Sequence, residues 1–243
     1  MKRTIAFIAV IALCQTLAFG QKKYEMVIVK TDGSEIAVNV EDIVRTYFPE
    51  SNVSYKTCPD ENHPHSIDLG LPSGTKWACC NVGAKKPEDY GSHYAWGETS
   101  TKSEYTWNTY AFYHNFSWDN IGSDIAGTIY DAATANWDAS WRMPTKAQCD
   151  ELNNKCTSVW TQQNGVNGQK FTGPNGGTIF LPAAGDCWGS ELYRVGSNGL
   201  YWSSTNYEYS PYDAWSLRIL SGGVDVPCKD TSSGFSVRPI RKE

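Results

Sequence analysis

The sequence predicts a chain built mainly of short strands joined by turns, with two helices near its middle. Three observations carry this expectation. Residues 199–240 read as strand-forming runs: Trp215, Leu217 and Ile219 alternate with Ser216, Arg218 and Leu220, the period of a half-buried strand. Thr145, with Gln148 three residues on and Pro144 just before it, is a capping box that opens a helix. Asn164-Gly165, Asn167-Gly168 and Pro174-Asn175-Gly176-Gly177 punctuate short runs, and residues 170–172 and 178–181 read as a hairpin.

Bulk composition narrows the function classes. The chain has 243 residues, is 13% aromatic with 10 Trp and 14 Tyr, and has a net charge of −5. Its mean hydropathy is −0.46. Disorder goes with few aromatics and high net charge, so this composition predicts folded structure. An acidic chain with no basic stripe argues against nucleic acid as a partner.

Residues 1–20 read as a signal peptide. Lys2-Arg3 is a positive start, residues 4–13 are mostly apolar, and Ala18-Phe19-Gly20 is a small-x-small cleavage site. The protein is therefore expected to be secreted, periplasmic or on the cell surface, beginning at Gln21. Lipoprotein anchoring through Cys14 is the rival, disfavoured by Leu13 where a small residue is usual. The apolar run is too short to span a bilayer, and no other run is longer, so no membrane span is expected.

Residues 21–52 read as a small β-hairpin unit, with Asp32-Gly33 between two β-branched runs. A lone hairpin is marginal in water, so it should dock on the main domain or a partner. Residues 53–65 read as a linker. They hold Cys58, Asp60, Glu61, His63 and His65, but Pro64 disrupts any regular ligand geometry, so no metal site is expected. The main domain occupies residues 66–243. Residues 99–120 form an aromatic excursion without clean period, read as a long ordered loop that is functional or packed by its own side chains. Residues 123–137 read as a first helix, and the capped one follows.

Without Cys14, the cysteines are Cys58, Cys79, Cys80, Cys149, Cys156, Cys187 and Cys228. Their number is odd, so at least one is free or pairs between chains, which would allow a covalent dimer. Cys149 and Cys156 stand about 10 Å apart along a helix. They cannot bridge, because a disulfide needs Cα atoms within roughly 7 Å.

Several motifs carry a family resemblance. They are Asp68-Leu69-Gly70-Leu71, Trp77-Ala78, Cys80-Asn81-Val82-Gly83-Ala84, Ala95-Trp96-Gly97-Glu98, Trp141-Arg142-Met143-Pro144-Thr145, Phe180-Leu181-Pro182-Ala183-Ala184-Gly185, Tyr201-Trp202-Ser203-Ser204 and Ser236-Val237-Arg238-Pro239. In this order, over about residues 66–240, they make the chain resemble the Fibrobacter succinogenes major paralogous domain family, secreted proteins of gut Bacteroidetes. That family looks like a branch of the C-type-lectin-like fold shared with formylglycine-generating enzymes. The resemblance implies an α+β domain with two helices, twisted antiparallel sheets and a ligand face in the last third of the chain. It also suggests a Cys80–Cys156 disulfide, since the family often has Cys at both positions.

The expected function is a binding module for a glycan or protein ligand. Tyr stacks on sugar rings at small entropic cost while Asn, Asp and Arg bond hydroxyls. The candidate contacts are Asn206, Tyr207, Tyr209, Tyr212, Asp213, Ser216 and Arg218, with Ser216 and Arg218 on the outward side of their strand and Trp202 and Trp215 in the core. A structural surface protein assembling through the N-terminal hairpin is the alternative. An enzyme is not expected. A dithiol/copper oxidase of the formylglycine-generating type would need two reactive cysteines, for which Cys187 and Cys228 are the candidates, and no hydrolase, zinc or phosphate motif is present. No cofactor is called for. The sugar motifs of calcium-dependent lectins are absent.

Overall fold

The computed structural model describes residues 65–241 in full, together with the backbone of three strands nearer the N-terminus, β1 (Ile11–Thr16), β2 (Lys22–Val29) and β3 (Glu35–Asn39). The chain forms two compact units, Met1–Asn52 and Val53–Glu243. In the first, β2 and β3 pair antiparallel, from Glu25 opposite Asn39 to Val29 opposite Glu35, and β1 adds antiparallel to β2. The Asp32-Gly33 signal thus falls between two paired strands. β1 lies inside the stretch read as a signal peptide. The cleavage site at residues 18–20 and the linker residues Cys58, Asp60, Glu61 and His63 lie outside the described residues.

The second unit begins with β4 (Ser66–Asp68), β5 (Lys76–Ala78) and β6 (His93–Tyr94), then a small hairpin of β7 (Tyr113–His114) and β8 (Ser117–Trp118). Two helices follow, α1 (Ala132–Asn136) and α2 (Lys146–Lys155). The rest is strand: β9 (Thr157–Gln163), β10 (Val166–Thr172), β11 (Thr178–Pro182), β12 (Asp186–Trp188), β13 (Glu191–Tyr193), β14 (Asn198–Asn206), β15 (Asp213–Leu220), β16 (Gly223–Asp225), β17 (Cys228–Asp230), β18 (Phe235–Ser236) and β19 (Ile240–Arg241). The architecture is α+β, mostly sheet with two helices.

Local chemistry accounts for several elements. The Thr145 hydroxyl accepts from the Gln148 N–H, and the Gln148 side chain accepts from the Thr145 N–H 3.0 Å away, which satisfies two otherwise orphaned donors. Cys149 and Leu152 point α2 into the core. Asn164 and Gly165, both at positive φ, turn β9 back onto β10, and β10 pairs on its other side with β11. The first helix is much shorter than residues 123–137. Gly127 turns the backbone at φ 71°, and Asp131 then caps α1, accepting from the Ala133 and Thr134 N–H groups with one oxygen and from Gly127 and Met143 with the other.

The main sheet runs β16-β15-β14-β18-β6, with β17 also paired to β15. β14 is buried on both faces. Tyr201 packs with Trp77, Phe171, Leu217 and Ile240, while Leu200 and Trp202 pack with Trp96, Phe235 and Val237 on the other side. A third sheet, β19-β5-β4, joins the end of the chain to the start of the domain. Beside it Arg238, fully buried, donates to the carbonyls of Ala78, Cys79 and Phe180 and to the Asn81 side chain at 2.8–3.1 Å.

β15 departs from the simple alternation. Ala214 and Ser216 are buried, and so are Leu217 and Ile219. The two sets lie on opposite faces of a sheet covered on both sides: Ala214 packs with Leu200 and Trp202, whereas Leu217 and Ile219 pack with Tyr201. The first half of β15 pairs with β17 and the second with β16, and at the junction both the N–H and the hydroxyl of Ser216 donate to the Pro227 carbonyl, each at 2.9 Å. Trp215 is half-buried rather than core, while Trp202 is fully buried.

The predicted Cys80–Cys156 disulfide is not formed. Cys156 is a free thiol at the C-cap of α2, and the Cys80 sulfur is directed at the Ala84 carbonyl 3.8 Å away. Cys149, Cys187 and Cys228 are also free thiols.

Candidate functional site

The loop between β14 and β15 forms one wall of an open cleft of about 690 Å³. Asn206, Tyr207, Glu208, Tyr209, Ser210 and Pro211 supply this wall. A second wall comes from Trp118 at the end of β8 and the segment 119–123 that follows. Trp96, Tyr110 and Phe112 complete the lining.

Each part is fixed by bonds that follow from its sequence. The Asn206 N–H donates to the Ser123 carbonyl at 2.9 Å, which ties the two walls together. The Asn206 side chain and the Tyr207 N–H both donate to the Asp213 carbonyl, at 3.2 and 3.0 Å, closing the loop on itself. The Trp96 indole donates to the Ser203 carbonyl at 2.9 Å, and the Tyr110 hydroxyl to the Trp96 carbonyl at 2.8 Å. Burial pushes the Tyr110 phenol well above its ordinary range, so it stays a neutral donor.

Aromatic contacts brace both walls. Trp118 meets Tyr212 edge-on at 4.0 Å and Tyr113 at 4.4 Å. Behind them Trp107 touches Tyr110, Tyr113, Trp118 and Tyr212 with centroids 5.5–6.1 Å away. On the loop side the Tyr207 ring meets Trp215 at 5.2 Å and Tyr209 at 5.5 Å. The Trp215 indole donates to the Glu208 carboxylate at 3.3 Å, and Lys146 lies over its ring. Tyr209 is left 80% exposed, available to stack on an incoming ring.

The sequence-predicted contacts divide into two groups. Asn206, Tyr207 and Tyr209 line the cleft. Tyr212 stands behind it, half-exposed against Trp118. Asp213 lies opposite Asp230 in the β15–β17 ladder. Ser216 is buried and faces inward, for the reason given above, which corrects its outward assignment. Arg218 is outward as expected, but it is paired with Asp225 through two bonds of 2.8 and 2.5 Å on the far half of β15. Trp118, Asp119 and Phe112 are the residues that reasoning from the last third of the chain missed. Their signal was the aromatic density of residues 99–120.

The two cysteines considered for redox chemistry are free thiols on different strands. Cys187 is in β12 opposite Gly234 and packs with Tyr105, whereas Cys228 is in β17 opposite Trp215. Burial raises the Cys187 thiol to about 11, away from a reactive thiolate. Among the described residues no group of three or more His, Cys, Asp or Glu could hold a metal ion, and no helix is long and apolar enough to cross a membrane. His65 donates its N–H to the Cys79 sulfur at 3.3 Å.

Compared with known proteins, the chain matches no family model, no curated protein and no solved structure.

Proposed function

We propose that this chain is an exported binding module that recognises a glycan through the cleft between the 206–213 loop and residues 118–123. The cleft itself carries the proposal. It combines aromatic side chains with a rim of amide, hydroxyl and carboxylate groups, the pairing that stacks on a sugar ring and bonds its hydroxyls. The fold is read as C-type-lectin-like and the chain as a member of the major paralogous domain family. The motif positions support that reading: Trp141 to Thr145 leads into α2, Tyr201 to Ser204 is the doubly buried strand, and Ser236 to Pro239 carries the buried arginine. Export rests on the leader at residues 1–20. Burial suppresses the Cys187 thiol, which argues against the dithiol chemistry considered for it.

The test is binding of the protein from Gln21 onward to an array of glycans and, in parallel, of surface proteins. Tyr209→Ala should leave the thermal midpoint unchanged, since the side chain is 80% exposed, and weaken glycan binding about tenfold. Undiminished binding by that variant would remove the cleft from consideration. Binding to proteins and to no glycan would replace the ligand class.

A further inference from the structure

Charge is distributed unevenly about the cleft. One wall and the aromatic braces behind it come from the stretch between Lys102 and Arg142. That stretch contains Glu104, Asp119, Asp124, Asp131 and Asp138 and not one Lys or Arg. The other wall comes from the stretch between Arg194 and Arg218, which contains Glu208 and Asp213 and again no Lys or Arg. Asp119 and Glu208 both line the cleft, one from each of these stretches, and no Lys or Arg lines it. His114 lies 3.4 Å from Asp119, with both side chains more than half exposed, and the nearby lysines are committed elsewhere. Lys102 is 2.9 Å from Glu98, and Lys146 is 2.7 Å from Asp150.

A partly enclosed site with carboxylates on both walls and aromatic surface between them has a definite preference. Ionised carboxylates are acceptors only, so they bond ligand hydroxyls, which donate. A ligand carboxylate or sulfate entering the same space meets like charge from two sides, with no guanidinium or ammonium to offset its lost hydration. Glycan sites for acidic sugars are built the opposite way, around Arg or Lys.

We infer that the cleft selects uncharged glycans and rejects those carrying uronate, sulfate or other anionic groups. This rests on the proposed function above and narrows it to a ligand class. Asp119 and Glu208 are the specificity-determining residues. They bond hydroxyls of the neutral ligand and repel the anionic one, while the aromatic side chains supply stacking that does not discriminate.

The experiment measures binding of the protein from Gln21 onward to neutral oligosaccharides of glucose, mannose and galactose. Each is paired with the counterpart oxidised to the uronate at C6, so that only one charge differs. At low salt the bound neutral member should exceed its uronate partner by at least about tenfold in affinity. The ratio should shrink in 0.5 M salt as the charges are screened. In the double variant Asp119→Asn, Glu208→Gln the ratio should fall toward one, because the isosteric amides keep hydrogen-bonding capacity and lose the charge. Equal affinity for the two members of a pair, or tighter uronate binding, overturns the inference and leaves the proposed function standing. Persistence of the full ratio in a double variant with an unchanged thermal midpoint removes these two residues as its cause and overturns the assignment. Failure to bind any neutral or acidic member overturns the glycan reading itself, and this inference with it.

Discussion

Trp107 offers a direct test of how the cleft is held open. Its ring lies 5.5–6.1 Å from four other aromatic rings, Tyr110, Tyr113, Trp118 and Tyr212, all at steep interplanar angles of 61–83°. Edge-to-face pairs contribute about 0.5–1.5 kcal/mol each beyond their buried area. Trp107→Leu keeps an apolar side chain and removes all four. Taking the low end for each, because the contacts share one ring and do not add fully, the expected loss is about 2 kcal/mol. For a unit of this size that lowers the thermal midpoint by roughly 4–8 °C. Urea titration followed by far-UV circular dichroism measures it without depending on the indole that has been removed. A double-mutant cycle with Tyr212→Leu sharpens the result. The Trp107–Tyr212 coupling should be about 0.5 kcal/mol, and the Trp118–Tyr212 coupling, at 4.0 Å, should be larger. Trp107 does not line the cleft, yet ligand affinity should fall, since Trp118 loses its backing. A stability loss below about 0.5 kcal/mol, or a coupling indistinguishable from zero, would show that the cluster is a set of neighbours and not a brace.

Two further outcomes follow from features around the site. Phe116 sits at the tip of the β7–β8 hairpin with φ 66° beside Asn115 at 48°, and its ring is 89% exposed. A left-handed conformation costs a bulky residue about 1–2 kcal/mol and glycine nothing; after about 0.5–1 kcal/mol for the entropy of glycine and about 0.5 kcal/mol for the lost edge-on contact with Tyr113 at 6.3 Å, Phe116→Gly should change stability by about 0 to +0.5 kcal/mol. A lowered urea midpoint would contradict this. His93 is held below its ordinary 6.5 chiefly by burial, with its Nε2 3.2 Å from the Ala184 carbonyl. Because the folded form resists protonation and the unfolded form does not, its contribution to stability is complete above pH 6.5 and is lost as pH falls below that value. His93→Gln should flatten the stability profile between pH 7 and 5, and an unaltered slope would refute the assignment.

What could be read from the residues alone was whatever short-range chemistry decides. The capping box at Thr145 and Gln148 is formed as read, and Asn164-Gly165 turns a hairpin, because each signal and its partner lie within a few residues. The 206–213 loop was also legible, since its Tyr, Asn and Ser content suits no core. The face of Ser216 was not. It depends on what covers each face of the sheet, and here both are covered, with Ala214 in one cluster and Leu217 and Ile219 in the other. The length of α1 escaped for a similar reason. Asp131 draws its second carboxylate oxygen's partners from Gly127 and from Met143, twelve residues on, and this fixes where the helix starts. The second wall of the cleft was hidden because residues 99–120 have no period, so their aromatic content pointed to packing or function without choosing between them.

The pairing of β5 with β19 bears on how the chain acquires its shape. Trp77 lies opposite Ile240, and Asn81 receives Arg238 from 157 residues further along. The beginning of the domain therefore stays unfinished until Arg238 and Ile240 have been made. A nascent chain cannot lock early, and a deletion of even the final strand should be felt at the first. Such long-range closure folds slowly and leaves apolar strands waiting in the open. Under the export proposed above, that delay keeps the chain in the extended state that passage through a membrane requires.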